Sequence, residues 1–207
     1  MDRLHGVNEE RIGLGYGLAA YLLWGLFPLY FTLFARSGAV EVVAHRALWS
    51  LIFCALLLTT LRQWGALRAA LADRRLALGL AVAGVLIVIN WSTYVIAVLT
   101  GHTLETALGY FINPLAVAML GIVVLGERLR RLQWLAMAFG AASVLVMIVG
   151  YGQVPWIALI LACSFGTYSL VKKVAGRSVG ALPGLAVETG AVAPVALGYL
   201  GWLAFAG

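Results

Sequence analysis

Seven mostly apolar stretches separated by short polar gaps make up nearly the whole chain. A bilayer core about 30 Å thick is crossed by ~20 apolar helical residues. The pattern therefore predicts spans over Ile12–Phe34, Val42–Leu61, Leu76–Leu99, Thr103–Leu125, Leu132–Val149, Val154–Val171 and Leu182–Phe205. The longest gap, Arg62–Arg75, reads RQWGALRAALADRR, with Trp64, Leu67 and Leu71 at helical spacing among arginines. It predicts a short amphipathic helix on the membrane surface. No gap is long enough for a soluble catalytic domain, so the helices must carry the function.

The basic residues fall in alternate gaps. Arg3 and Arg11 precede the first span. Arg62, Arg68, Arg74 and Arg75 fill the second gap, Arg128, Arg130 and Arg131 the fourth, and Lys172, Lys173 and Arg177 the sixth. The other gaps hold only Arg36. Lys and Arg near span ends stay in the cytoplasm. The chain is expected in the cytoplasmic (inner) membrane as a multi-pass protein with a cytoplasmic N-terminus. The first apolar run is too long for a signal peptide, and no small-residue cleavage site closes it.

Composition agrees with this all-α integral membrane class. Hydrophobic residues make up 63% and charged residues 11%, against ~25% charged in soluble domains, and the mean hydropathy is +1.00. The net charge of +6 is accounted for by span flanks facing anionic lipid, so nucleic acid is rejected as a partner. Cys54 and Cys163 lie within spans and read as apolar side chains, with no disulfide or metal role.

A weak internal repeat runs along the chain. Trp24-Gly25 lies over Phe165-Gly166, Gly38-Ala39 over Gly180-Ala181, Ala44 over Ala186 and Arg46 over Glu188. A five-span unit is odd in number, so its second copy enters the membrane from the opposite side. The charge rule independently gives that orientation to the sixth span. Inverted repeats of this kind mark secondary transporters, with the site between the halves. Residues 1–150 are expected to form one unit, and 151–207 the first two helices of a second, incomplete one. The end in LGWLAFAG, with no polar tail, leads us to expect a fragment lacking about three helices.

Polar residues inside spans are costly, about 2.5–3.5 kcal/mol for a central charge on insertion scales, and face a cavity or a partner. Arg46 lies in the second span, with Trp49 and Ser50 on its face at i+3 and i+4. Glu188 lies in the seventh. A symmetric fold would place each in one of two facing vestibules. The alternative is that Arg46 snorkels to headgroups and Glu188 sits in a wet rim. In the fourth span Glu105, Gly109 and Asn113 line one face, with Tyr110 beside them. Pro114 frees a carbonyl that could join Asn113 in binding a solute. The rival reading is a Pro-kinked packing helix with Asn113 bonded to its neighbour, and Glu105 merely solvated near the outer mouth. Asn90, Thr93 and Tyr94, and likewise Ser164, Thr167 and Tyr168, form stripes that face either solute or a neighbouring helix. Pro28 and Pro194 are further kink positions, and Trp24, Pro28 and Thr32 share a face. Gly13-x-x-x-Gly17 and Ala136-x-x-x-Gly140 would allow close helix packing. The first lacks the spacing and the preceding strand of a dinucleotide fingerprint.

The run GHTLETALGYFINPL, followed by LGERLRRLQWLA, closely resembles the RarD branch of the EamA-type drug/metabolite transporter superfamily. AHRALWS around Arg46, NWSTYVIAV from Asn90, SFGTYSLVKK from Ser164 and ET…PVA from Glu188 carry the same resemblance, which covers essentially the whole chain. It implies a ten-helix inner-membrane permease of two inverted five-helix halves, a link to chloramphenicol sensitivity, and solute held between the halves. Residues 1–150 would then be the first EamA-type repeat and 151–207 the start of the second. The chain would be a truncated form of that ten-helix (5+5) architecture. The family-like positions are Arg46, Asn90, Trp91, Glu105, Gly109, Tyr110, Phe111, Asn113, Pro114, Glu127 and Glu188. Glu127, in the GER turn, reads as a helix-end or cytoplasmic gate residue.

The expected function is secondary transport of a small metabolite or drug-like solute by alternating access. Arg46 would attract an anionic group or balance a carboxylate. Glu188 is the candidate for proton coupling, and Asn90, Tyr110 and Asn113 offer hydrogen bonds. Expected partners are membrane lipid and the solute, with homo-oligomerisation left open. No cofactor or metal is expected. A lipid-binding or flippase role is the main alternative. A seven-helix receptor fits poorly with the orientation and lacks a Schiff-base lysine in the last span. An intramembrane enzyme would need a nucleophile with its base, an Asp pair or a metal set; the chain has no HExxH or GxSxG, and His102 with Glu105 is a weak metal pair.

Overall fold

The computed structural model describes residues 2–34, 37–152 and 154–206, and the side chains of these except 2–13, Thr32, Tyr151 and Ala206. Arg36 therefore lies outside the described residues, as do the side chains of Arg3, Arg11 and Thr32 and the surroundings of Gly13. Helices alone make up the regular structure there: α1 (Asp2–Thr32), α2 (Ala39–Thr60), α3 (Trp64–Ala72), α4 (Arg74–Leu99), α5 (Thr103–Leu125), α6 (Arg131–Tyr151), α7 (Trp156–Ala175) and α8 (Ala181–Ala206). All but α3 are long and apolar enough to cross a membrane, and the seven expected spans fall on them.

The chain divides into two units, Met1–Arg36 and Ser37–Gly207. The first is α1, a 31-residue helix that continues through Pro28. Its rings contact one another along the helix, Tyr21 with Trp24 at 5.7 Å and Phe27 with Phe31 at 6.1 Å between centroids.

In the second unit α2 and α8 run antiparallel. Ala44 and Ala47 pack with Ala196, while Cys54 and Leu58 pack with Ala186. Contacts that climb along α2 thus descend along α8. Lipid tails are as apolar as these side chains, so the pair is held by close van der Waals contact, which alanines permit. α7 lies between α4 and α5. A Cβ on Gly109 of α5 would stand 3.1 Å from the Leu161 Cβ and 3.2 Å from the Ala158 Cα. On the other side the Asn90 side chain of α4 donates to the Leu161 carbonyl. α5 continues through Pro114 and α8 through Pro194. α6 is the least covered helix, with no buried residue over Arg131–Gly150. Its Gly140 meets Leu115 of α5, as the second small-residue motif leads one to expect.

The amphipathic helix is α3. Ala70 is buried and Leu67 packs beside it, whereas Leu71 is exposed. The α2–α3 turn is tight. Arg62 takes φ 54°, the left-handed conformation usually left to glycine, and Gln63 N–H donates to the Leu58 carbonyl at 2.9 Å. The Trp64 indole then donates to Thr59 Oγ1 at 3.2 Å and pins α3 to the end of α2. α4 starts two residues earlier than the apolar run, because the Asp73 side chain accepts from the Arg75 and Leu76 N–H groups. α7 runs four residues past Val171 to include Lys172 and Lys173, which suit a helix C-terminus. The ends of α2, α5 and α7 and the starts of α4, α6 and α8 carry most of the Arg and Lys; we call this the basic end.

Candidate functional site

α2, α4, α7 and α8 line a half-open cavity of about 110 Å³. Helical spacing sets the wall from α2: Val43, Arg46, Ala47 and Ser50 follow at i, i+3, i+4 and i+7 and all line it. Trp49 falls off this stripe and is exposed. Trp91 comes from α4, Tyr168 from α7, and Glu188 and Thr189 from α8. Arg46 and Glu188 therefore share one cavity and do not occupy two separate vestibules. The reason is that α2 and α8 are direct antiparallel neighbours, so repeat-equivalent positions near their crossing turn toward the same space.

The charges in this cavity are held by specific contacts. The Arg46 Cζ lies 3.0 Å from the centroid of the Trp91 ring, where the negative face of the indole attracts the guanidinium. From Trp91 an aromatic chain continues to Tyr94 (6.1 Å) and on to Tyr110 of α5 (5.9 Å). Glu188 is 1% exposed. Its Oε1 pairs with Lys172 Nζ at 2.5 Å and its Oε2 accepts from Tyr168 Oη at 3.3 Å. Tyr168 and Lys172 are one turn apart on α7 and so reach the same carboxylate. A buried carboxylate stripped of such partners costs several kcal/mol.

Gly84 makes this packing possible. A Cβ there would run into the backbone carbonyl of Glu188, so α4 and α8 approach closely only because position 84 has no side chain. Neither Gly84 nor the two lysines stand out as candidates in the sequence. The one signal there is the four-residue step from Tyr168 to Lys172.

Other candidate residues lie elsewhere. The Asn90 amide donates to the Leu161 carbonyl and to Ser164 Oγ, both at 3.0 Å. Ser164 Oγ donates in turn to the Ile160 carbonyl at 2.6 Å. Asn90 thus ties α4 to α7 and does not line the cavity. Asn113 is buried, and its Oδ1 has no hydrogen-bond partner; it too lies outside the cavity wall. Glu105 is buried, not solvated, and lines a second cavity of about 210 Å³ with Leu104, Leu108, Met147 and Gly150. Tyr110 and Phe111 are exposed. Glu127 lies at the basic end, where its carboxylate pairs with Lys173 at 2.5 Å. Among the described residues, no three His, Cys, Asp or Glu side chains converge to hold a metal ion.

Residues 11–149 match the EamA-like transporter family. Protein RarD of Streptomyces exfoliatus is 50% identical over 197 residues, 95% of this chain and 62% of that protein. An uncharacterized transporter of Pseudomonas aeruginosa is 48% identical over 190 residues, 92% of this chain and 63% of that one. Protein RarD of Escherichia coli is 43% identical over 193 residues, 93% and 64% respectively. The chain thus spans less than two thirds of the length of these relatives. No solved structure matches it.

Proposed function

Because the chain belongs to the EamA-like transporter family, in its RarD branch, we propose that it provides the solute site of a secondary transporter for a small metabolite or drug-like solute. The observation that carries this reading is the single cavity holding both Arg46 and Glu188. Two opposite charges in one intramembrane cavity, each held by neighbouring side chains, are what a path for a polar solute requires.

In this reading residues 1–150 are one repeat and 151–207 the start of its inverted copy. The antiparallel pairing of α2 with α8, the second helix of each, supports it. The basic end is cytoplasmic and the protein resides in the inner membrane. The two halves rock about the cavity and expose it to each side in turn. Arg46, braced on Trp91, receives an anionic group. Glu188 exchanges a proton or a solute cation against Lys172. The protein performs no catalysis.

The test works with a solute of unknown identity. Proteoliposomes holding the full-length protein are loaded with a uniformly 13C-labelled cell extract, and mass spectrometry reads which compounds leave. The wild type depletes at least one small solute relative to empty liposomes, and Glu188→Gln depletes none. No depletion by the wild type, or equal depletion by Glu188→Gln, contradicts the reading.

A further inference from the structure

We propose, resting on the reading of the cavity as a solute site, that the last turn of α7 is a gate over the cavity's basic end, held shut by two ion pairs that release together. Lys172 and Lys173 are consecutive, so their side chains leave the helix about 100° apart and meet different neighbours. Lys172 points inward to Glu188, which lines the cavity; Lys173 points outward to Glu127, in the linker between α5 and α6. One helical turn therefore ties the cavity wall to a surface linker.

The floor beneath the cavity is continuous with this turn. Leu58, Ala186 and Leu182 form one apolar cluster, and Leu80, Ala175 and Val187 a second. Leu67 of α3 packs against both. Ala175 lies three residues beyond Lys172 on the same turn of α7. Opening this end of the cavity means lifting Ala175 from Leu80, which carries both lysines away from their carboxylates.

The two pairs differ in how they resist. Glu188 is buried, so losing Lys172 strands a charge in a dry site; the Glu127–Lys173 pair is half exposed and gives way easily. A proton or a cationic group that takes the place of Lys172 on Glu188 removes the larger penalty, and the outer pair then follows. The occupancy of the cavity is in this way coupled to the α5–α6 linker.

Thiol accessibility tests this without any solute. Thr189→Cys, in a Cys54→Ala/Cys163→Ser background, places one thiol on the cavity wall of the full-length protein in membrane vesicles. A charged, impermeant methanethiosulfonate is added on the side carrying the Arg128–Arg131 linker. The gate predicts slow modification in the parent and in Lys172→Arg. It predicts modification about tenfold faster in Lys172→Met and about two- to threefold faster in Glu127→Gln. The swapped pair Glu127→Lys/Lys173→Glu returns to the slow rate, which also shows that the altered proteins fold. An unchanged rate in Lys172→Met or in Glu127→Gln, or a swap as fast as Glu127→Gln, overturns the proposal. A working gate in a protein that moves no solute refutes the transport reading alone.

Discussion

The guanidinium carbon of Arg46 lies 3.0 Å from the centroid of the Trp91 ring, across the wall of a cavity that Glu188 also lines. The arrangement keeps an arginine inside the membrane region and fixes its plane against an aromatic face. Arg46 is exposed and Trp91 half-buried, and a cation–π contact in such a setting is worth about 0.5–1 kcal/mol.

Trp91→Leu is expected to raise the KM for the solute about two- to fivefold, the equivalent of ~0.5–1 kcal/mol, with a smaller effect for Trp91→Phe. Arg46→Lys keeps the charge but loses the flat guanidinium, so it too weakens binding. Initial rates against solute concentration check both. An unchanged KM in Trp91→Leu would remove the indole from the account.

Gly84→Ala drives a methyl group into the Glu188 carbonyl. Overpacking of this kind costs roughly 1–3 kcal/mol, and it should lower the thermal midpoint of the purified protein. Gly79→Ala is the control: the nearest atom to its Cβ would be a Val171 methyl at 4.0 Å, and the midpoint should not fall. Equal midpoints for the two variants would contradict the close α4–α8 approach.

Asn90→Ala removes the two hydrogen bonds that its amide makes from α4 to α7. Such bonds average about 0.6 kcal/mol in membrane proteins, with a maximum near 1.7. The expected result is a small fall in thermal midpoint with the solute KM unchanged. A large rise in KM would return Asn90 to the solute path.

The spans are legible because length and hydrophobicity alone decide what crosses a bilayer, and Arg46 and Glu188, which with Trp91 line one cavity, stand out because charged groups are rare there. The site's partners do not. Lys172 and Lys173 stand where span flanks are basic in any case, so their pairing with Glu188 and Glu127 is hidden behind the topological signal. Gly84 looks like every other glycine in a chain that has 24 of them. Asn90 cannot be separated by sequence from a solute ligand, since an amide in a span hydrogen-bonds a neighbouring helix as readily as a solute. Leu67 and Leu71 both fit an amphipathic stripe, and only the packing of Leu67 beside Ala70 tells them apart.

The most direct measurement compares solute flux through wild type, Arg46→Ala and Asn90→Ala at equal amounts in the membrane. If the cavity between α2, α4, α7 and α8 is the solute path, Arg46→Ala abolishes flux while still inserting, and Asn90→Ala retains it. Flux at the wild-type rate through Arg46→Ala would contradict the account.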